Sequence, residues 1–64
     1  MTARKLEQLA RHHGWRLLRE AKGSHKAFTH PTLPGVVYIS YHGSKDIPVG
    51  TLETAMKIIR GEKP

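Results

Sequence analysis

The residues best equipped for chemistry are Gly23-Ser24-His25, where a glycine, a hydroxyl and an imidazole follow one another directly. An imidazole, with an unperturbed pKa of about 6.5, both takes and gives a proton near neutral pH. Gly23 reaches positive φ at little cost and so suits a tight turn between two extended segments. Apolar residues bracket the tripeptide: Trp15, Leu17 and Leu18 before it, Phe28 after it. Ser24 and His25 then stand where a strand begins, held by the scaffold yet open to solvent. The plainer alternative is a turn followed by an ordinary surface histidine, because short motifs recur by chance.

Charge narrows the partners of such a site. The chain has 64 residues, with eleven Lys and Arg against five Asp and Glu, a formal net charge of +6. So basic a small chain is drawn to phosphate backbones and to acidic proteins. Its cations are dispersed along the sequence, unlike those of a disordered basic arm. Nucleic acid is the favoured partner and an acidic protein the second. The length predicts a single domain over 1–64, with its core at about 3–60. There is no cysteine to staple a thin core. No apolar run approaches the roughly 20 residues of a membrane span. The charged start, Met1-Thr2-Ala3-Arg4-Lys5, is unlike a signal peptide. A soluble cytoplasmic protein is the expectation.

The elements that position the tripeptide follow from periodicity. Leu6, Leu9 and Ala10 make one apolar stripe, which predicts a helix over 3–13 with Thr2 as N-cap and Gly14 at its end. His12 and His13 fall in its last turn, where positive charge suits the helix dipole. Residues 15–20 predict a first strand, with Trp15 and Leu17 on one face and Leu18 on the other. A hairpin at 21–24 leads to a second strand over 25–30. Phe28 should face the core, so His25 must face the opposite side with Ala27 and Thr29. Lys26 and His30 share the parity of Phe28. The β-branched and aromatic run at 36–41 predicts the third strand, with Val37, Ile39 and Tyr41 on one face and Val36, Tyr38 and Ser40 on the other. Leu52, Ala55, Met56 and Ile59 predict a second helix over 49–60, with Pro48 in its first turn, Thr51 as a candidate cap and Gly61 at its end. The fold class is therefore α+β: helix, three-stranded antiparallel sheet, helix, with both helices on one sheet face. His25 stands on the open face.

In this order and spacing the chain resembles the HicA family, the small toxins of HicA/HicB toxin–antitoxin modules. Four features carry the likeness across Leu6 to Ile59: Gly14-Trp15, Gly23-Ser24-His25, His30-Pro31, and His42-Gly43 leading through Lys45-Asp46-Ile47 to Gly50-Thr51-Leu52. The chain departs from the family where a proline often stands at Ser40 or Tyr41, and at Ile58-Ile59-Arg60-Gly61, where a Gln-Ala-Gly-Leu-like tail is common. The resemblance implies a fold like the double-stranded-RNA-binding domain. It also implies an endoribonuclease that cleaves mRNA and so blocks translation, with His25 as the catalytic histidine and a HicB antitoxin covering the site.

RNA can be cleaved without metal, because its own 2′-OH attacks the neighbouring phosphate. No cofactor is expected. Proton transfer of this kind is worth about 10²- to 10⁴-fold. His25 is the candidate for it. Lys22 and Lys26, the N–H groups of Gly23 and Ser24, and the Ser24 hydroxyl are candidates to hold phosphate, and Tyr38 to stack a base. Whether His30 or His42 assists stays open. So do two other readings: a non-catalytic RNA-binding module of the same fold, and a basic domain that docks an acidic protein.

Overall fold

In a computed structural model, which describes residues 1–20, 25–41, 43 and 45–61, the chain runs helix, three strands, helix. The first helix, α1, spans Ala3–His12; the Thr2 hydroxyl caps it by accepting from the Lys5 N–H at 3.3 Å. Gly14, at φ +91°, turns the chain out of the helix. Three strands follow, β1 (Arg16–Glu20), β2 (His25–Thr29) and β3 (Val37–Ser40), joined in the antiparallel order β1-β2-β3. The second helix, α2, spans Val49–Ile59. The architecture is the expected one, consistent with the double-stranded-RNA-binding fold.

Both helices bury their apolar stripes against the same sheet face. Leu6 and Ala10 of α1 and Ala55 and Ile59 of α2 pack with Phe28, Val37 and Ile39. Trp15, 1% exposed, is among the largest buried side chains, and its indole N–H donates to the Ile59 carbonyl at 3.1 Å. That bond ties the end of α2 to the segment between α1 and the sheet. It also supplies a buried polar group with the partner it needs.

Three expectations change. β1 begins at Arg16, with Trp15 just before it, and every β1 residue is exposed. Leu17, placed opposite Phe28 by register, is still 40% exposed, because both helices gather over β3, with no comparable packing on β1. Thr51 does not cap α2: the N-cap is Pro48, which has no side-chain donor or acceptor to offer, and Thr51 lies inside the helix. The third change is a break in register between Leu17 and Arg19, which pair with Phe28 and Ala27 respectively. Leu18 is the extra residue of a β-bulge, and the alternation along β1 inverts after it.

The indole bond gives a direct test. Trp15→Phe keeps an aromatic ring but removes the N–H, together with part of the buried indole. It should lower stability by about 1–3 kcal/mol, the cost of leaving a buried acceptor without its donor. Urea denaturation would measure the loss, and an unchanged midpoint would show that the bond contributes nothing.

Candidate functional site

The register settles which side chains share His25's face. His25 pairs with Ser40, Lys26 with Ile39, Ala27 with Tyr38 and Phe28 with Val37. Directly paired residues project to the same side. Phe28, Val37 and Ile39 are buried beneath the helices, so His25, Ala27, Tyr38 and Ser40 face outward. His25 is exposed, and Tyr38, a diagonal neighbour one strand away, is 58% exposed. Ala27 is fully buried on this open face, lying in register between Arg19 and Tyr38.

Two cations that the sequence reading passed over belong here. Arg16 pairs with Thr29 and Arg19 with Ala27, so both stand on the outward face with His25. Strict alternation puts Arg19 on the side of Leu17; the bulge at Leu18 turns it over. Neither arginine forms an ion pair with a described residue. No carboxylate competes for them among the described outward strand residues. Glu20 pairs with Lys26 and so belongs to the helix side.

Of the other candidates, Lys26 is on the helix side. Its ammonium lies 4.9 Å from the Tyr41 ring centre and 4.0 Å from Glu7 Oε1. Lys22, Gly23 and Ser24 lie outside the described residues, as does His42. His30 is fully engaged. Its Nδ1 accepts from the N–H groups of Thr32 and Leu33, at 3.1 and 3.0 Å, so the ring proton is on Nε2, which donates to the His13 carbonyl at 3.0 Å. The ring also packs edge-on against Trp15, with centres 5.4 Å apart. A Cβ at Gly14 would come within 2.9 Å of its Nε2. His30 therefore latches the loop after β2 to the end of α1, and is not free to exchange protons with a substrate. Among the described residues, no three His, Asp or Glu side chains gather to hold a metal ion.

A hollow of about 190 Å³ adjoins the outward face, between Tyr38 and Ser40 of β3 and the segment Lys45–Pro48 that leads into α2. A larger one, about 460 Å³, is lined by Thr2, Arg4, Tyr41 and Gly43. Tyr41 packs against the core, so this second hollow belongs to the helix side.

The sequence profile of the family described as "HicA toxin of bacterial toxin-antitoxin" matches residues 3–60. The chain belongs to the HicA toxin family. It is thus the toxin of a toxin–antitoxin module, and an antitoxin is its implied partner. A search of curated proteins returns no match. No helix among the described residues of this HicA chain is long and apolar enough to cross a membrane.

On the helix side, Glu7 anchors a small polar cluster. It accepts from the Tyr41 hydroxyl and, at 2.9 Å, from Arg11 Nε. Burial works against its charge, but the hydrogen bonds from Tyr41 and Arg11, with the charges of Lys26 and Arg11, prevail and hold its carboxyl below the usual range. Burial, together with the carboxylate it faces, pushes the Tyr41 hydroxyl well above the ordinary phenol range. A carboxyl whose folded pKa is depressed adds stability above its unfolded value, about 4.3, and that stability is lost as pH falls through the folded value. Glu7→Gln should therefore flatten the loss of stability below about pH 4.3. Melting temperatures followed from pH 6 to pH 2 test this; parallel curves for the two proteins would refute it.

Proposed function

We propose that this toxin is a metal-independent endoribonuclease that cleaves mRNA and so inhibits translation, with His25 moving the proton. The observation that carries the reading is the outward sheet face, where an exposed histidine stands with an exposed tyrosine and two arginines that form no ion pair with a described residue, and where the described strand residues place no carboxylate. Cations without acidic neighbours suit a phosphate backbone, and an exposed aromatic ring suits an unstacked base.

In this mechanism His25 takes the proton of a ribose 2′-OH. The 2′ oxygen attacks the adjacent phosphorus, the bond from phosphorus to the 5′ oxygen breaks, and the protonated imidazole returns the proton to that 5′ oxygen. The products are a cyclic phosphate and a free 5′-hydroxyl. Arg16 and Arg19 hold the phosphates and offset charge that builds on the phosphorane. Lys22, the Gly23 and Ser24 N–H groups and the Ser24 hydroxyl join them in phosphate binding, and Tyr38 stacks a base. Lys26, turned toward Glu7 and Tyr41, contributes charge at longer range. A HicB-like antitoxin neutralises the toxin by covering this face. A binding-only RNA module is the second reading, favoured by the presence of a single outward histidine among the described strand residues.

His25→Ala separates the two. An exposed position outside the core predicts a stability change within about 0.5 kcal/mol. Cleavage of mRNA in EDTA and inhibition of growth should both be abolished, while RNA binding persists. Wild-type cutting by the folded variant would refute the assignment; binding without any cleavage by the wild type would establish the second reading. Because phosphate contacts dominate, the RNA binding constant should also fall steeply with salt. A flat salt titration would exclude an electrostatic interface.

A further inference from the structure

The hollow beside His25's cross-strand partner has walls suited to one particular ligand. Tyr38 and Ser40, on the outward face, line it. Ile47 and Pro48 line it with apolar groups, and Lys45, the Thr51 hydroxyl and the Asp46 carboxylate supply polar ones. At about 190 Å³ it is several times the roughly 30 Å³ share of a water molecule. It falls short of the roughly 300–1,000 Å³ of clefts that take drug-sized ligands. Its volume suits a single ring system, and Tyr38, Ile47 and Pro48 give its lining an aromatic and apolar part.

Asp46 sets the polarity. It is 78% exposed, in a chain with only five acidic residues. On the side of the molecule that would meet phosphates, a carboxylate is an electrostatic liability unless it has a ligand to read. The terminal amino group of Met1 lies 3.3 Å from Oδ1, which offsets part of the charge. The carboxylate is held in place from behind: Thr2 and Asp46 form a β-bridge, and the Ile47 N–H donates to the Met1 carbonyl at 2.8 Å.

We propose that this hollow is a nucleobase subsite of the ribonuclease site, and that Asp46 makes it prefer a base bearing an exocyclic amine over uracil. An ionised carboxylate only accepts hydrogen bonds, and an exocyclic amine only donates them. Where cytosine and adenine carry that amine uracil presents a carbonyl oxygen, and it has only the single ring N3–H to offer a carboxylate; guanine carries its amine on the opposite side of the same edge. Tyr38 supplies the stacking surface for any base. The inference takes its substrate from the ribonuclease reading, but the preference is measurable without cleavage.

The test uses the full chain carrying His25→Ala and four pentanucleotides: UUUUU, UUAUU, UUCUU and UUGUU. Amide chemical shifts should move at Tyr38, Ser40, Ile47 and Thr51 with the three amine-bearing probes, which should bind about tenfold more tightly than UUUUU, as loss of a hydrogen bond to a charged group implies. Asp46→Asn, whose amide also donates, should erase that preference while the exposed position leaves folding intact. Tyr38→Leu should weaken all four probes about equally. Equal affinities for all probes, or shifts confined to Arg16 and Arg19, would overturn the subsite. Cleavage of mRNA by the wild-type chain is scored separately. Preference without cleavage keeps the subsite and removes the nuclease; cleavage without preference does the reverse.

Discussion

The Trp15 indole N–H, bonded to the Ile59 carbonyl, is the contact on which the rest of the fold depends. It ties the last residue of α2 to the segment between α1 and β1 across the core. The same ring packs against His30, whose two nitrogens are occupied by the backbone of residues 13, 32 and 33. Trp15 and His30 thereby tie together the exit of α1, the loop after β2 and the end of α2. A chain of 64 residues without cysteine has a thin core. A few such convergent contacts substitute for the larger buried area that it lacks.

With the helices committed to one face, the other face of the sheet stays open. That division separates two kinds of polar group. Glu7, Tyr41, Lys26 and Arg11 satisfy one another at the edge of the helix side. Arg16, Arg19, His25 and Tyr38 stand on the open side, exposed, with neither arginine ion-paired to a described residue. Side chains that already hold each other are poor candidates to hold a ligand, because a ligand must first displace an existing partner. The outward set carries no such cost. The proposed base subsite lies at the rim of this open face, where β3 meets the segment leading to α2.

The histidines show how little residue type decides by itself. His25 and His30 lie five positions apart, each beside a turn or loop signal. His25 points outward because its parity opposes that of Phe28. His30 lies just past the end of β2, where nearby N–H groups and a carbonyl surround its ring. His13 is different again: its Nδ1 lies 2.9 Å from the Leu9 carbonyl, one turn back in its own helix. The His25 assignment rests on strand alternation, and alternation is a local property. The role of His30 depends on residues 17 positions away, which no local pattern encodes.

The sequence by itself determined the element order, the helix faces, the Thr2 cap, the burial of Trp15 and Phe28, the outward direction of His25 and Tyr38, and the family. Each of these follows from a period of about two or 3.6 residues, from a cap within three residues, or from motifs at fixed spacing. Tertiary structure alone decided that Leu17 stays partly exposed, that Arg19 faces outward, that Lys26 joins Glu7 and Tyr41, and that Asp46 lines a hollow beside Tyr38. Two physical reasons account for these, one for Arg19 and one for the other three. A bulge shifts register by one residue and inverts every side chain beyond it. A partner reached across the sheet or from the chain terminus depends on how elements pack, and periodicity within one element carries no record of its neighbours.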